Sequence, residues 1–277
     1  MSNPLRKDTV AQMSDKVFAA FQSLTLKSTG IELGASKKAM LLTRFNRRLK
    51  ALKLSTFEEY LALVSTPDHP ERTEFIDTVT TNLTYFFREP HHFEVMQKDV
   101  FAGILTRSEA SKPVRLWSAG CSSGQEPYSM AITAIESGLA AKCQVKILCT
   151  DIHSKMVRQT EQGIYSRDEL RGLSADQQSK WFKQNANGRW ESDSALRSLL
   201  LCKQLNLFGP WPVRPGVDVI MCRNVLIYFD QERQTKIIHG FAGVQKSGAH
   251  LFIGHSETMS GCDKYYRRVD NTVYERI

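Results

Sequence analysis

The pattern of apolar and polar positions divides the chain into two parts of different texture. In the first 80 or so residues, apolar side chains recur at helical spacing. This spacing, with Ser and Thr as candidate caps, predicts three helices, over 15–26, 37–53 and 56–64. The segment 74–97 is also predicted to be helical, with an interruption at 78–84, where β-branched residues and Asn disfavour a helix. The first part is therefore predicted to be all-helical.

From Val114 onward, short apolar runs of strand type alternate with helical stretches. The runs are VRLW, QVKILCTD, VDVIMC and AHLFIG. Alternating strands and helices predict parallel βαβ units, and so a doubly wound α/β sheet. The segment 182–205 fits this alternation badly and is predicted to be a small β-subdomain insertion. The residues 265–268 and 272–276 are predicted to form a closing β-hairpin.

Composition and charge narrow the class of protein without identifying it. The 37 basic and 29 acidic side chains give a net charge of +8, which favours an acidic partner: nucleic acid, an anionic membrane surface or a Glu-rich protein. No apolar run is long enough to span a membrane, and residues 1–16 lack the apolar core of a signal peptide. A soluble, cytoplasmic protein is expected.

Cysteine and histidine usage gives no sign of a metal site or a disulfide framework. The six cysteines are scattered, with no C-x-x-C spacing, and they are expected to be reduced thiols. They are Cys121, Cys143, Cys149, Cys202, Cys222 and Cys262. The seven histidines form no HExxH motif and no Cys/His ligand spacing, so no metal is expected.

The turn after the first predicted strand is a candidate cofactor site. In SAGCSSG, Gly120 and Gly124 bracket three small residues, which lets the backbone approach a ligand at a helix N-terminus. The second strand ends in Asp151, a position that commonly binds ribose hydroxyls. Because GxGxxG is absent, the pattern favours an adenosyl ligand without phosphates, namely S-adenosylmethionine. The alternative is a tight structural turn and an Asp that caps the next helix.

Three motifs in this order and spacing make the chain resemble a known family. They are TNLTYFFREPHHF, LWSAGCSSGQEPYSMA and DVIMCRNVLIYFD. From about Thr25 to Ile277 the chain resembles the CheR family, the bacterial chemotaxis-receptor methyltransferases. The resemblance implies a helical N-terminal substrate-docking domain (1–75), a linker (76–112) and a class I, Rossmann-like methyltransferase domain (113–277) with a β-subdomain insertion.

The resemblance also implies an activity and its partners. The activity is methyl transfer from S-adenosylmethionine to glutamate side chains of chemoreceptors, which forms glutamate methyl esters and S-adenosylhomocysteine. The implied partners are the Glu-rich methylation helices of the receptors, and a monomer is expected. Two alternatives remain open at this point: a cofactor-binding regulatory module without turnover, and a nucleic-acid methyltransferase. The latter is disfavoured because the NPPY motif of base-amino methylation is absent.

The same resemblance carries over a set of site residues, motif by motif. The implied cofactor contacts are Asn82, Thr84, Arg88, Glu126, Asp151, Asn206, Leu207, Arg223 and Asn224. The match around Asn206 is the weakest, because the sequence LFGPWPVRPG is unusual there.

Arg88 and Tyr228 are the candidate catalytic residues. A glutamate carboxylate is already ionised at neutral pH, so its methylation needs alignment and a dry pocket rather than a base or a metal. A cation or a hydroxyl can hold the second carboxylate oxygen, and these two residues supply one of each. The alternatives are a surface helix charge for Arg88 and a core aromatic for Tyr228. The nearby segment 255–257 (HSE) is expected to be a structural rim.

Two further expectations concern the substrate. The span 36–53 holds seven basic residues and no acid. Of these, Lys37, Arg44, Arg47 and Arg48 share one helix face, which predicts a docking surface for an acidic receptor helix, with a solvated face as the alternative. The loop after Trp181 has Gly188 as its only glycine and is short. This disfavours a tether to a receptor's C-terminal pentapeptide, unless the difference is ordinary loop-length variation.

Overall fold

The computed structural model describes residues 12–106, 113–259 and 263–277. Residues 1–11, which are most of the stretch 1–16 on which the signal-peptide expectation rests, lie outside the described residues, as does Cys262. The chain divides into two compact units, Met1–Thr80 (unit 1) and Thr81–Ile277 (unit 2). The division falls five residues after the end of the predicted helical domain, and the predicted linker belongs almost entirely to unit 2.

Unit 1 is helical in its described part, as predicted. Its α-helices are α1 (Asp15–Thr29), α2 (Lys38–Leu52), α3 (Phe57–Ser65) and α4 (Glu71–Val79). Helix α3 begins with a capping box in which Thr56 and Glu59 satisfy each other's backbone N–H groups. Four aromatic rings fill the core, with centroids 4.6 to 6.0 Å apart: Phe21, Phe45, Tyr60 and Phe75. Each helix contributes one of these rings, so the aromatic cluster joins the four helices.

The described elements of unit 2 follow one another in the order of an α/β domain. They are α5 (Pro90–Val95), which continues through a π-helical stretch (Met96–Phe101) into α6 (Ala102–Thr106), then β1 (Val114–Ala119), α7 (Gln125–Glu136), α8 (Leu139–Lys142), β2 (Val145–Asp151), α9 (Ser154–Gln162), β3 (Ile164–Tyr165), α10 (Ala175–Trp181), β4 (Phe182–Gln184), β5 (Trp190–Ser192), α11 (Ser194–Arg197), β6 (Leu200–Gln204), β7 (Val217–Cys222), α12 (Gln231–Val244), β8 (Gln245–Ile253), β9 (Tyr266–Asp270) and β10 (Val273–Arg276).

The large sheet of unit 2 has, among the described residues, seven strands in the order β6-β2-β1-β7-β8-β10-β9. The first five are parallel, and β10 runs antiparallel to both β8 and β9. Strand β7 is buried along its whole length, which explains why its sequence is an almost uninterrupted apolar run. The predicted closing hairpin is formed by β9 and β10.

The small sheet differs from the predicted insertion in its boundaries. It has the order β3-β5-β4 and therefore begins at Ile164, before the predicted start at 182. The end of the predicted segment, β6, belongs to the large sheet, where Cys202 lies beside Cys149 of β2. Local sequence pattern does not show this pairing, because the helices α9, α10 and α11 and the whole small sheet lie between the two strands along the chain.

Within 12–106, 113–259 and 263–277, no helix combines the length and apolar character that crossing a membrane requires.

Candidate S-adenosylmethionine site

The candidate site lies at the carboxyl edge of the parallel strands, where the strand order reverses around β1. The turn after β1 contains Gly120 (φ 96°) and Gly124 (φ 101°), both in conformations that favour glycine. A Cβ atom on Gly120 would collide with Val225, and one on Gly124 would lie 2.7 Å from the Tyr165 hydroxyl. Close packing inside the protein is therefore enough to require both glycines.

Asp151 ends strand β2 and connects the turn after β1 to the turn after β2. Its two carboxylate oxygens each accept a backbone N–H at 2.8 Å, one from Ser122 and one from His153. His153 directly precedes helix α9. The structural alternative, in which Asp151 orders the start of the next helix, therefore describes part of the role of Asp151. The carboxylate is buried, and a carboxylate oxygen can accept more than one donor.

Glu126 and Arg223 form a buried ion pair beneath this edge. Arg223 Nε donates to Glu126 Oε2 at 2.8 Å, and Ser118 Oγ donates to Glu126 Oε1 at 2.7 Å. The exposed fractions of the two side chains are 2% for Arg223 and 9% for Glu126. Both are predicted cofactor contacts, and in the structure their side chains bind each other, with Ser118 as a second partner of Glu126.

Arg223 also continues the polar network toward the linker and the C-terminal hairpin. Its Nη1 donates to the carbonyl oxygen of Arg88 and lies 3.3 Å from His92 Nδ1. On the other side of the ring, His92 Nε2 lies 2.8 Å from Thr272 Oγ1, which donates to the Asn271 carbonyl. Burial, and then the charge of Arg223, lower the pKa of His92 to about 3. The network therefore assigns a neutral imidazole that carries its proton on Nε2.

The linker segment 82–89 is fixed to unit 2 by its backbone. The Phe86 N–H donates to the Arg171 carbonyl at 3.2 Å, and the Phe87 N–H donates to Ser129 Oγ at 3.0 Å. Arg88 is half-buried, and its Nη1 donates to the Leu83 carbonyl at 2.8 Å. The side chains of the other two predicted linker contacts differ in exposure: Asn82 is exposed and Thr84 is half-buried.

Five non-glycine residues in the described part of unit 2 have positive φ, and all belong to this region. They are Phe87, Glu89, Ser122, Asn224 and Thr272, with φ between 49° and 60°. Such a conformation is unfavourable for a bulky or β-branched side chain and persists only where the surroundings impose it. The backbone strain of unit 2 is thus concentrated around the candidate site.

The loop after β7 brings Tyr228 to the same edge. Glu257 accepts the backbone N–H groups of Asn224 at 2.9 Å and Ile227 at 3.3 Å, so the segment 255–257 acts as a structural rim. Burial raises the pKa of the half-buried Tyr228, the charge of Arg88 lowers it, and the carboxylates of Glu257 and Asp151 raise it. Tyr228 and Asp151 thus both follow parallel strands at this edge, Tyr228 after β7 and Asp151 at the end of β2.

Asn206 and Leu207 follow the edge strand β6 and are held by the unusual loop after them. Asn206 Oδ1 accepts the Phe208 N–H at 2.9 Å, and the Leu207 carbonyl accepts Trp211 Nε1–H at 3.1 Å. The Trp211 ring packs over Gly240 of α12, where a Cβ would lie 2.7 Å from the indole. The sequence analysis missed Trp211 and Gly240, although the tryptophan between two prolines was a signal of a rigid loop.

The predicted docking residues of unit 1 have different surroundings. Arg48 forms a two-point contact with Glu71 at 2.8 and 2.7 Å, and Arg44 Nη1 donates to the carbonyls of Thr78 and Thr80 at the end of α4. Lys37 is half-buried, and burial lowers its pKa, followed by the charge of Arg44. Arg47 is exposed.

The residues present at the carboxyl edge fit a polar ligand such as S-adenosylmethionine. Ser122 Oγ and Asn224 Oδ1 are buried there and have no hydrogen-bond partner among the described residues. Buried polar atoms are normally paired, so these two are candidates to bind the cofactor. A cluster of three or more His, Cys, Asp or Glu suited to a metal is not found in the parts of the chain that the structure describes.

Comparison with known proteins decides the family. A model of the all-alpha domain of CheR methyltransferases matches residues 16–80, and a model of their SAM-binding domain matches residues 82–275. The chain belongs to the CheR methyltransferase family. The family predicted from the three motifs is thus confirmed, together with its α/β methyltransferase fold and the use of S-adenosylmethionine.

Individual CheR relatives cover almost the whole chain. A probable chemotaxis protein methyltransferase of Rhizobium etli is 40% identical over 85% of this chain and 90% of its own length. Chemotaxis protein methyltransferase 2 of Pseudomonas aeruginosa is 35% identical over 89% of this chain and 88% of its own. The chemotaxis protein methyltransferase of Escherichia coli is 34% identical over 95% of this chain and 91% of its own. The chain is a methyltransferase of the chemotaxis type.

Proposed function

We propose that this CheR methyltransferase transfers a methyl group to glutamate side chains of chemoreceptors and forms glutamate methyl esters. The observation that carries the proposal is the shared position of Arg88, Tyr228 and Asp151 at one edge of the sheet. The Arg88 carbonyl is held by Arg223 after β7, Tyr228 follows in the same loop, and the buried Asp151, an acid suited to ribose hydroxyls, ends the parallel strand β2. S-adenosylmethionine supplies the methyl group on a positively charged sulfur.

The residues of the chain have to hold and orient a carboxylate rather than activate it. A glutamate side chain with an ordinary pKa near 4.3 is ionised at pH 7 and is already a nucleophile. Arg88 provides guanidinium donors for one carboxylate oxygen, which leaves the other oxygen directed at the methyl group. Tyr228 provides an O–H donor, and its raised pKa keeps that proton in place at neutral pH.

The remaining predicted contacts divide into two groups. Asn82, Thr84, Asn206, Leu207 and Asn224 are proposed to touch the cofactor with Asp151 and Arg88. Glu126 and Arg223 are proposed to act without touching the cofactor: Arg223 positions the Arg88 backbone, and Glu126 positions the end of β1.

The test is methylation of receptor-containing membranes with cofactor labelled in its methyl group. We expect label that alkali releases as methanol, because carboxyl methyl esters are hydrolysed under these conditions. Arg88→Ala and Tyr228→Phe should lower kcat at saturating cofactor, whereas Arg267→Ala, on the exposed strand β9, should not. Alkali-stable label on nucleic acid would contradict the proposal, and cofactor binding without any transfer would indicate a regulatory module.

We also propose that helix α2 and its N-cap residue dock the acidic receptor helix, mainly through Arg47 of the helix and Lys37 at the cap. Arg44 and Arg48 contribute charge, but their side chains also hold unit 1 together, so reversing them would mix docking with stability. Arg47→Glu should raise the KM for receptor, more strongly at low salt, and leave cofactor affinity unchanged. Lys27→Glu on α1 is the matched control, and an equal effect of both variants would contradict docking through α2.

A third proposal is that the enzyme acts as a monomer and without a C-terminal pentapeptide tether. Strand β4 offers only three residues at the edge of the small sheet, and its turn to β5 is closed on itself by Asn185. A free pentapeptide with aromatic ends should give no calorimetric signal up to high micromolar concentration. Saturable binding at low micromolar concentration would contradict this, and light scattering at a mass other than 31.5 kDa would contradict the monomer.

A further inference from the structure

A second arginine lies close to Arg88 and has no role in the mechanism described above. The guanidinium carbon of Arg171 lies 4.8 Å from the centre of the Tyr85 ring, and that of Arg88 lies 5.9 Å from the same centre. The distance between the two guanidinium carbons is therefore at most the sum of these two distances. Tyr85 is thus a shared stacking platform for two cations, one of which belongs to the candidate catalytic pair.

The backbone that carries Arg171 is fixed against the linker. The Arg171 carbonyl accepts the Phe86 N–H at 3.2 Å. The next residue, Gly172, has a φ of 98°, and a Cβ there would collide with the Phe86 carbonyl. This approach requires glycine, so the chain holds Arg171 in a defined place beside Tyr85.

Arg171 differs from Arg189 and Arg197 in its partners. Arg189 forms an ion pair with Glu169 at 3.2 Å, and Arg197 forms one with Glu191 at 3.1 Å. Arg171 is exposed and has no acidic partner among the residues that the structure describes. Its guanidinium is ordered by stacking, while its N–H donors face no carboxylate of the protein, which is the state in which arginine binds an incoming carboxylate in a defined geometry.

We propose that Arg171 binds a second acidic side chain of the substrate, next to the glutamate that is methylated. This inference rests on the proposed function, since it assumes a helical glutamate substrate held by Arg88. An α-helix rises about 5.4 Å per turn, so the largest separation that Tyr85 allows between the two guanidinium groups corresponds to two turns of a helix or less. The enzyme should therefore prefer target glutamates that have an acidic residue three, four or seven positions away.

The first test compares receptor methylation by Arg171→Gln and Arg167→Gln. Arg167 is a matched control, because it is also exposed and stacks on an aromatic ring, Trp190, at 4.9 Å, but does not contact Tyr85. We expect Arg171→Gln to raise the KM for receptor roughly two- to fivefold at low salt, the range of an exposed ion pair. The kcat and the cofactor Kd should stay at the values of the unchanged enzyme, and the difference should shrink at high salt.

The second test changes the substrate. In a receptor fragment with one methylatable glutamate, each acidic residue three, four or seven positions away is replaced by Gln. One such replacement should raise the KM of the unchanged enzyme and have no further effect on Arg171→Gln, because the two changes remove the same contact.

Three outcomes would overturn the inference. The first is an equal KM for Arg171→Gln and Arg167→Gln. The second is a loss of cofactor affinity in Arg171→Gln, which would make the residue a structural support of the linker. The third is additive effects of enzyme and substrate changes. Failure of the unchanged enzyme to methylate receptor at all would instead remove the proposed function, and this inference with it.

Discussion

Each unit of the molecule contains an arginine paired with a buried glutamate, and the two pairs differ in what they connect. In unit 1, Arg48 holds Glu71 with two hydrogen bonds, and the Tyr60 hydroxyl donates to the same carboxylate at 3.2 Å. In unit 2, Arg223 holds Glu126 with one hydrogen bond and directs its remaining donors to Arg88 and His92. The first pair ends in the helical core, whereas the second extends to the linker that carries a candidate catalytic residue.

The Arg48–Glu71 pair therefore stabilises the fold, whereas the Arg223–Glu126 pair also positions the candidate catalytic residue Arg88. The exposed fraction of Arg48 is 25%, so water screens its pair, and that pair connects only helices of unit 1: α2, α4 and, through Tyr60, α3. Arg223 is almost completely buried, and its loss would leave the Glu126 charge, the Arg88 carbonyl and His92 without their partner. We therefore expect the pair of unit 1 to affect folding alone, and the pair of unit 2 to affect folding and catalysis together.

The largest effect is expected from Arg223→Ala, which should lower the free energy of unfolding of unit 2 by about 3–5 kcal/mol, because a buried charge loses its partner. Urea unfolding followed by tryptophan fluorescence measures this, since all four tryptophans (Trp117, Trp181, Trp190, Trp211) lie in unit 2. Glu126→Gln keeps the shape of the side chain and one acceptor oxygen, so it should be more stable than Arg223→Ala. It should nevertheless bind cofactor less tightly than the unchanged protein. A fully active Glu126→Gln would show that the pair has no positioning role.

The second effect concerns unit 1. Arg48→Ala should destabilise unit 1 by about 2 kcal/mol, because Glu71 remains buried without its cation. Hydrogen exchange of peptides from α3 and α4 in the full-length protein measures this loss. Arg47→Ala, an exposed neighbour on α2, is the control and should change stability by less than about 0.5 kcal/mol. A fall in cofactor affinity in Arg48→Ala would contradict the separation between the two pairs.

The third effect concerns the cofactor directly. Asp151→Ala should weaken cofactor binding by roughly 1–3 kcal/mol, because a hydroxyl partner and two backbone contacts are lost. Asp151→Asn is the informative companion, since its side-chain oxygen can still accept one of the two N–H groups. Calorimetry with S-adenosylhomocysteine measures both variants. Unchanged affinity in a folded Asp151→Ala would remove this residue from the site.

The fourth effect depends on pH, is negligible at pH 7 and arises from His92. Its folded pKa of about 3 lies below the unfolded value near 6.5, so between these values only the unfolded chain takes up a proton. His92 should therefore make unit 2 less stable as pH falls from 6.5 toward 3, by up to about 1.4 kcal/mol per pH unit. His92→Asn should lack this part of the slope in urea unfolding at pH 7, 6 and 5. An identical slope in both proteins would show that His92 takes up its proton at the same pH in the folded and the unfolded chain.

The sequence was informative where the pattern is local and uninformative where partners are distant. The helices of unit 1 and the strands β1, β2, β7 and β8 follow from spacing and apolar runs of about one element in length. Strand β6 was assigned to the insertion, because its pairing with β2 depends on contacts between segments far apart in the chain. The short strand β3, only two residues long, carries no pattern of its own.

The candidate site shows the same limit. Motifs pointed to Glu126 and Arg223, but not to the bond between them, which joins residues 97 positions apart. The contact between His92 and Thr272 spans 180 positions, and neither residue was expected to matter. Residue type signals what chemistry a side chain can do, while the choice between binding a ligand and binding a neighbour is made by the fold.

Thr272 shows what this arrangement means for improving the protein by selection. A β-branched residue with a φ of 54° is unfavourable, and Gly or Asn at this position would relax the turn. A screen for heat resistance alone should therefore enrich such replacements, along with similar ones at Phe87 and Glu89. The Thr272 variants would melt later and methylate more slowly, because the hydroxyl that orients His92 would be gone. Thermal tolerance and turnover are thus opposing demands on the same few turns of this enzyme.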